Sequence, residues 1–205
     1  MRQESSPVII EFAGVPGGGK TTSARSFVAR RSDSSVLITL DMRARLPEAA
    51  AALSFALAHP RAFFALSRFT FVHSAPELRR FSLHLAFRAC GKYAKAVRVH
   101  ALEAVIDEGL IHVLMTLPAA PVREDTFRRI LARLPLPAKA YIAREGNFHR
   151  FAENRDVPHP RLRATGLTEW KEAVRANVGI VARLLPEFGV RVEDIAGQSG
   201  VELRR

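Results

Sequence analysis

A chain of 205 residues, 48% hydrophobic and 25% charged, can bury one sizeable core and is too apolar for wholesale disorder, so a single α/β domain over residues 1–205 is expected. Its one cysteine, Cys90, excludes an internal disulfide, and its longest apolar run, Ala49 to Ala58, is stopped by His59-Pro60-Arg61 before it could cross a bilayer. The formal charge of +11 leaves three kinds of anionic partner open: a phosphorylated substrate, nucleic acid or an anionic membrane surface. The amino terminus lacks a basic stretch followed by an apolar core, so a reducing, cytoplasmic setting is expected.

The first element, Val8-Ile9-Ile10-Glu11-Phe12-Ala13, has the β-branched, apolar character of a buried parallel strand. It runs into Gly14-Val15-Pro16-Gly17-Gly18-Gly19-Lys20-Thr21-Thr22, which satisfies G-x-x-x-x-G-K-[ST] at every defined position, and a helical stretch follows to Arg30. Strand, loop and helix in this order form the context a phosphate-binding loop requires. The candidate nucleotide contacts are Gly14, Pro16, Gly17, Gly18, Gly19, Lys20, Thr21 and Thr22. The glycines let backbone N–H groups turn around a β-phosphate, and the helix adds the positive end of its dipole. Lys20 is expected in the loop, packed against nothing and free to reach the β- and γ-phosphates, while the Thr21 hydroxyl ligates Mg²⁺.

A second buried strand, Val36 to Leu40, ends on Asp41. Ligands of open α/β sheets bind beyond the carboxyl ends of the strands, so Asp41 and Arg43 are candidates for contact with a substrate. From about residue 46 to 100 the chain reads as two or three helices rich in Ala, Leu, Phe and Arg, the expected acceptor-binding region. Eight basic side chains between 61 and 100, Arg88 among them, face one acid, Glu77; Arg88 is a further candidate for holding the acceptor. Phe55, Phe63, Phe64, Phe69, Phe71, Phe81 and Phe87 are expected to be mostly core, with some left for an acceptor pocket or a homodimer interface.

A third strand, Ala101 to Ile106, leads into Asp107-Glu108-Gly109. Such a strand brings a carboxylate beside loop-held Mg²⁺, and Asp107 is the candidate metal ligand, with Glu108 expected on the opposite side of the strand if the backbone stays extended. Leu110–Leu117 and Arg123–Leu134 read as helices and Ala138–Ala143 as a fourth strand. An arginine-bearing segment at about 144–165 follows, with Arg150 and Arg155 as candidates for stabilising charge on a transferring phosphoryl group. Thr168 to Leu185 reads as an amphipathic helix capped by the threonine, with Trp170 inward, before a last strand that begins at Gly189-Val190-Arg191-Val192.

With these residues in hand, Gly14 to Thr22, Asp41, Asp107-Glu108-Gly109 and the arginines around Arg150 and Arg155, the chain resembles the P-loop small-molecule kinases, nearest the thymidylate kinase-like and nucleoside monophosphate kinase-like group. The resemblance implies a three-layer P-loop NTPase fold with a five-stranded parallel sheet flanked by helices, and ATP with Mg²⁺ as donor. It also implies an acceptor bound among the middle helices and an arginine-bearing lid after the fourth strand. The acceptor would be a nucleotide, nucleoside or sugar-like alcohol; of the carboxylates at strand ends, Mg²⁺ would claim Asp107 and Glu108 would point to the opposite side of an extended strand, so Asp41 is the expected base and Glu108 the runner-up. A P-loop ATPase or a polynucleotide-directed kinase stands as the alternative, since either would use the same loop and the +11 charge.

Overall fold

Five short strands lie in parallel because each of the first four is followed by a crossover long enough to return over the sheet. The computed structural model describes residues 6–31, 33–39, 45–148 and 166–195. The elements run β1 (Val8–Gly14), α1 (Lys20–Ala29), β2 (Ser35–Ile38), α2 (Arg45–Ala58), α3 (Pro60–His73), a 3₁₀ turn (Pro76–Leu78) and α4 (Arg79–Ala96). Then come β3 (Glu103–Asp107), α5 (Leu110–Thr116), α6 (Glu124–Leu131), β4 (Lys139–Ala143), α7 (Leu167–Leu184), a second 3₁₀ turn (Leu185–Phe188) and β5 (Arg191–Asp194). The strand order is β2-β3-β1-β4-β5, with all four pairings parallel. The expected five-stranded α/β sheet flanked by helices is therefore present.

The alternation of β1 distributes its side chains to two unlike layers. Ile10 and Phe12 face α1, where they meet Ala24, Phe27 and Val105, with Tyr141 stacked on Phe12 at 4.7 Å between ring centroids. Ile9 and Ala13 face the larger layer built from α3, α4, α5, α6 and α7. Burying each aromatic ring of the smaller layer contributes about 1.5–3 kcal/mol, enough to hold one helix on that face without further support. On the other face α5 is apolar almost all round, and six of its seven residues are buried between the sheet, α4 and α7.

This arrangement fixes where a ligand can sit. The chain leaves β1 toward the α1 face, whereas it leaves the flanking strands β3 and β4 toward the opposite face. Neighbouring loops thus diverge at the carboxyl end of β1, the crevice in which open α/β sheets bind ligands.

Several sequence expectations shift by a residue or two at element ends. The threonine cap of the last helix is replaced by Gly166, which precedes Leu167 with φ 71° and gives no side-chain cap. Trp170 is inward, 1% exposed. Phe55 and Phe69 are core, but Phe64 and Phe71 are 71% and 48% exposed and Phe87 is 38% exposed, so the phenylalanines of the middle helices divide between core and surface. Among the described residues no single helix is long and apolar enough to cross a membrane.

Candidate functional site

The glycines of the loop shape it in two ways. Gly14, Gly17 and Gly19 adopt positive φ values of 114°, 72° and 73°, the alternation of backbone handedness that folds N–H groups into an anion-binding concavity. Gly14 and the later Gly146 also permit an interlock: a Cβ on Gly14 would lie 2.2 Å from the Ala143 carbonyl oxygen, and one on Gly146 would lie 2.3 Å from that of Pro16. Residues 144–148, the described start of the segment expected as a lid, form a strap against the loop: the Asn147 N–H donates to the Gly17 carbonyl at 3.4 Å, and just before the strap the Val15 N–H donates to the Ala143 carbonyl at 2.8 Å. Arg144 in this strap pairs with Asp194 at 2.7 Å.

α1 begins at Lys20 with Gly19 as its N-cap, no side-chain cap and no acid in its first turn, so its N-terminal field is directed at the loop uncompensated. Lys20 does not match its expectation as a loop side chain packed against nothing. It is only 5% exposed, donates from Nζ to the Val15 carbonyl at 2.8 Å, and lies 3.5 Å from Glu108 Oε1. The cause is its place as the first residue of the helix, from which the side chain turns back under the loop.

Opposite the loop, β3 pairs with β1 so that Asp107 lies beside Phe12, and the Glu108 N–H donates to the Phe12 carbonyl at 3.0 Å. This register brings Thr21 Oγ1 to 2.6 Å from Asp107 Oδ2, with the hydroxyl donating, although the two residues are 86 positions apart. Burial raises the Asp107 carboxyl above its ordinary value, and Glu108 adds to that while Thr21, Lys92 and Lys20 oppose it. Its second oxygen, Oδ1, is buried without a hydrogen-bond partner among the described residues. A buried, unsatisfied carboxylate oxygen beside a threonine hydroxyl fits a hard divalent cation, and the pair Thr21 and Asp107 would hold Mg²⁺.

Glu108 departs from its expectation. Its φ of 59° puts it in the left-handed region, so the strand turns there rather than continuing extended, and the carboxylate comes round to Lys20 instead of the opposite side. Burial alone would raise its pKa, but His112, at 3.6 Å, Lys20 and Lys92 outweigh that and hold it down to about 2. Two further cations complete the corner. Lys92 of α4 donates to the carbonyls of Asp107 and, at 3.2 Å, of Glu108, and burial lowers its pKa. Arg88, four residues earlier on the same helix face, lines with Lys92, Glu108 and His112 a cavity of about 130 Å³ between α4 and α5. Arg88, expected from the sequence to hold an acceptor, thus borders a cavity that Glu108 also lines.

Three members of this site were not singled out from sequence. Lys92 carried a signal in its i,i+4 spacing from Arg88, and His112 in being the polar residue of an apolar helix. Glu11 carried the strongest signal: a lone acid inside a buried strand. It is 1% exposed, its Oε1 accepts from the His112 N–H at 2.8 Å, and its carboxylate lies beneath Gly109, where a Cβ would be 2.7 Å away. Glu11 therefore holds the turn that presents Asp107 and Glu108. Asp41, Arg43, Arg150 and Arg155 lie outside the described residues.

Burial pushes Glu11 up to about 7 from its ordinary 4.5, with the N–H groups of His112 and Ile111, the Lys92 charge and the Gly109 N–H opposing. Between these values the folded chain keeps a proton that the unfolded chain has lost. The resulting stability is complete below pH 4.5 and is lost as pH rises to about 7. The loss is on the order of 3 kcal/mol. Glu11→Gln is expected to flatten this fall, as measured by urea midpoints of both chains at about pH 5 and about pH 8.

Comparison of the chain with protein-family models and with curated proteins returns no match.

Proposed function

We propose that the protein is an ATP- and Mg²⁺-dependent kinase that transfers the γ-phosphoryl group to a small-molecule acceptor. The observation that carries this reading is the 2.6 Å contact between Thr21 and Asp107, which joins the end of the phosphate-loop motif to the carboxylate of the neighbouring strand. A structural turn with a solvated lysine would have no need of that convergence, nor of a buried Lys20.

In this reading the loop from Gly14 to Thr22 binds the phosphates and Lys20 carries positive charge to the β- and γ-oxygens. Thr21 and Asp107 hold Mg²⁺, which when bound supplies further charge neutralisation on the phosphates. Arg88 and Lys92 give the acceptor cavity its positive side and Glu108 stands at its mouth. As the acceptor oxygen bonds to the γ-phosphorus, the bond from that phosphorus to the bridging oxygen breaks and ADP leaves with it. A hydroxyl acceptor gives its proton to Asp41, with Arg43 beside it holding the acceptor. Arg150 and Arg155 stabilise charge on the group in transit.

Calorimetry with ATP and GTP in the presence of Mg²⁺, followed by acceptor-dependent ADP release over nucleosides, nucleotides and sugars, tests the reading. Binding of neither nucleotide would refute it. Activity that collapses between low and moderate salt and needs a polynucleotide would assign the loop to a nucleic-acid enzyme instead.

Thr21→Ala is expected to raise the Mg²⁺ concentration needed for half-maximal turnover by about 10–100-fold, with a smaller effect on nucleotide binding measured without metal. An unchanged Mg²⁺ dependence would remove Thr21 from the metal's surroundings. Replacing Arg150 or Arg155 with Ala is expected to lower kcat more than it raises KM for ATP, since a group acting on transition-state charge contributes little to ground-state binding. Steady-state kinetics of both variants, with turnover unchanged in each, would leave them as surface charge.

A further inference from the structure

The polar cavity at Glu108 does not end the space between the middle helices. A second cavity, of about 730 Å³, lies among α2, α3 and α4, and Arg88 lines both. Among its described lining residues the polar side chains are Glu48, His84 and Arg88; the others are Ala49, Ala52, Leu53, Ala56, Phe63 and Phe87. Phe63 and Phe87 stack at 5.3 Å and form one wall. The apolar character continues outward, with Leu53 and Leu57, one helical turn apart on α2, 61% and 75% exposed.

The junction of the two cavities is chemically specific. Glu48 Oε2 and Arg88 Nε form an ion pair at 3.8 Å, longer than a hydrogen bond. Glu48 Oε1 and Arg88 Nε are each buried with no hydrogen-bond partner among the described residues. An acceptor and a donor thus stand unsatisfied on the apolar cavity, the donor belonging to the Arg88 side chain that borders both cavities. A nucleobase or a sugar needs polar groups along its whole body, because a pocket that leaves them unpaired loses the free energy of their hydration. The larger cavity offers few such groups and is within the volume range that holds drug-sized ligands.

We propose that the acceptor is a free amphipathic molecule. Its oxygen-bearing head lies in the cavity of Glu108, Lys92 and Arg88, and its hydrocarbon or aromatic body lies in the apolar cavity between α2 and α4. Glu48 and Arg88 engage the polar atoms where head joins body. This deepens the kinase reading and rests on it for the chemistry of transfer, but the binding of the body stands on the cavity itself.

The test is calorimetric titration of the purified chain with 1-hexanol, 1-octanol and 1-decanol below their aggregation limits, beside thymidine and glucose. Each two-carbon extension is expected to tighten binding by about tenfold, the response of a site that removes methylenes from water. Leu53→Glu, at a position exposed enough to spare folding, and Phe87→Ser are each expected to weaken 1-decanol at least about tenfold and to leave ATP affinity unchanged. Affinity independent of chain length, 1-decanol binding unchanged in both variants, or binding of thymidine or glucose without 1-decanol would overturn the proposal. So would co-sedimentation with phosphatidylglycerol vesicles by a chain that does not bind 1-decanol, which would assign the apolar face to a membrane. ATP titration of the same sample separates the two readings. Chain-length-dependent binding without ATP binding refutes the kinase and leaves the cavity, whereas ATP binding without 1-decanol binding does the reverse.

Discussion

Lys20→Ala is expected to lower phosphoryl transfer by about 10²–10³-fold or more, the magnitude typical of removing one group placed where charge develops. Its buried place adds a second effect that a solvated lysine would not show. With Nζ gone, the Val15 carbonyl loses its 2.8 Å donor and Glu108 loses one of the cations that hold its pKa low. The Val15 carbonyl keeps only the Gly18 N–H, at 3.4 Å, so some loss of stability accompanies the loss of activity, about 0.5–1.5 kcal/mol for one hydrogen bond. Lys20→Met also lacks Nζ but keeps the aliphatic stem, so it separates the lost packing from the lost charge. The expected result is a urea midpoint nearer wild type than that of the alanine variant, with turnover still reduced by the full factor. Turnover of Lys20→Met within threefold of wild type would show that the charge does not act on the transferring group.

Asp41→Asn is expected to cut kcat by about 10²–10⁴-fold with ATP affinity nearly intact, the range for loss of a general base. The case for Asp41 over Glu108 is strengthened by the surroundings of Glu108. A carboxylate held at a pKa of about 2 by His112, Lys20 and Lys92 is a poor proton acceptor, and its charge is already committed to those cations. Glu108→Gln is accordingly expected to cost less than Asp41→Asn in turnover and to disturb the position of Lys20 instead, raising KM for ATP. Single-turnover kinetics of the two variants decide the matter. Should Asp41→Asn keep more than about a third of wild-type turnover while Glu108→Gln loses it, the roles are reversed. Should neither matter, the acceptor is already an anion and positioning suffices.

What the sequence made legible was local. Val8 to Ala13 and Val36 to Leu40 are largely apolar and rich in β-branched residues beside turn residues, so a strand was readable at each without a partner, whereas Ala138 to Ala143, with Ile142 as its one β-branched residue, was the weaker signal. The turn from β1 into α1 was legible for the same reason, since the eight positions of its motif, four of them defined, are contiguous. The place of Asp107 was legible because a strand paired beside β1 ends near the loop, where its carboxylate meets Thr21. The rest depended on register. Glu11 acts on the N–H of His112, 101 residues later, and only the pairing of β1 with β3 brings them together. The reversal of Glu108 rests on one left-handed residue, a conformation that a glutamate's own preferences disfavour and only its neighbours impose. Lys20 misled because a motif states which residues touch phosphate and not what they touch in the resting chain.

The strap of residues 144–148 makes the loop and the segment after β4 a single interlocked piece, in which the backbone of each occupies the space a side chain on the other would need. Two surfaces that fit at this distance cannot drift independently. A side chain introduced at Gly146 displaces Pro16, and a displaced Pro16 alters what is tolerated at the adjacent Gly17, where a Cβ would already lie 2.5 Å from the Asn147 carbonyl oxygen, so substitutions across the joint are strongly non-additive. The mutational history open to this joint is therefore narrow. Substitutions are more accessible on the far rim of the crevice than at this joint, so the rim can change while the loop and the strap beside it stay as they are.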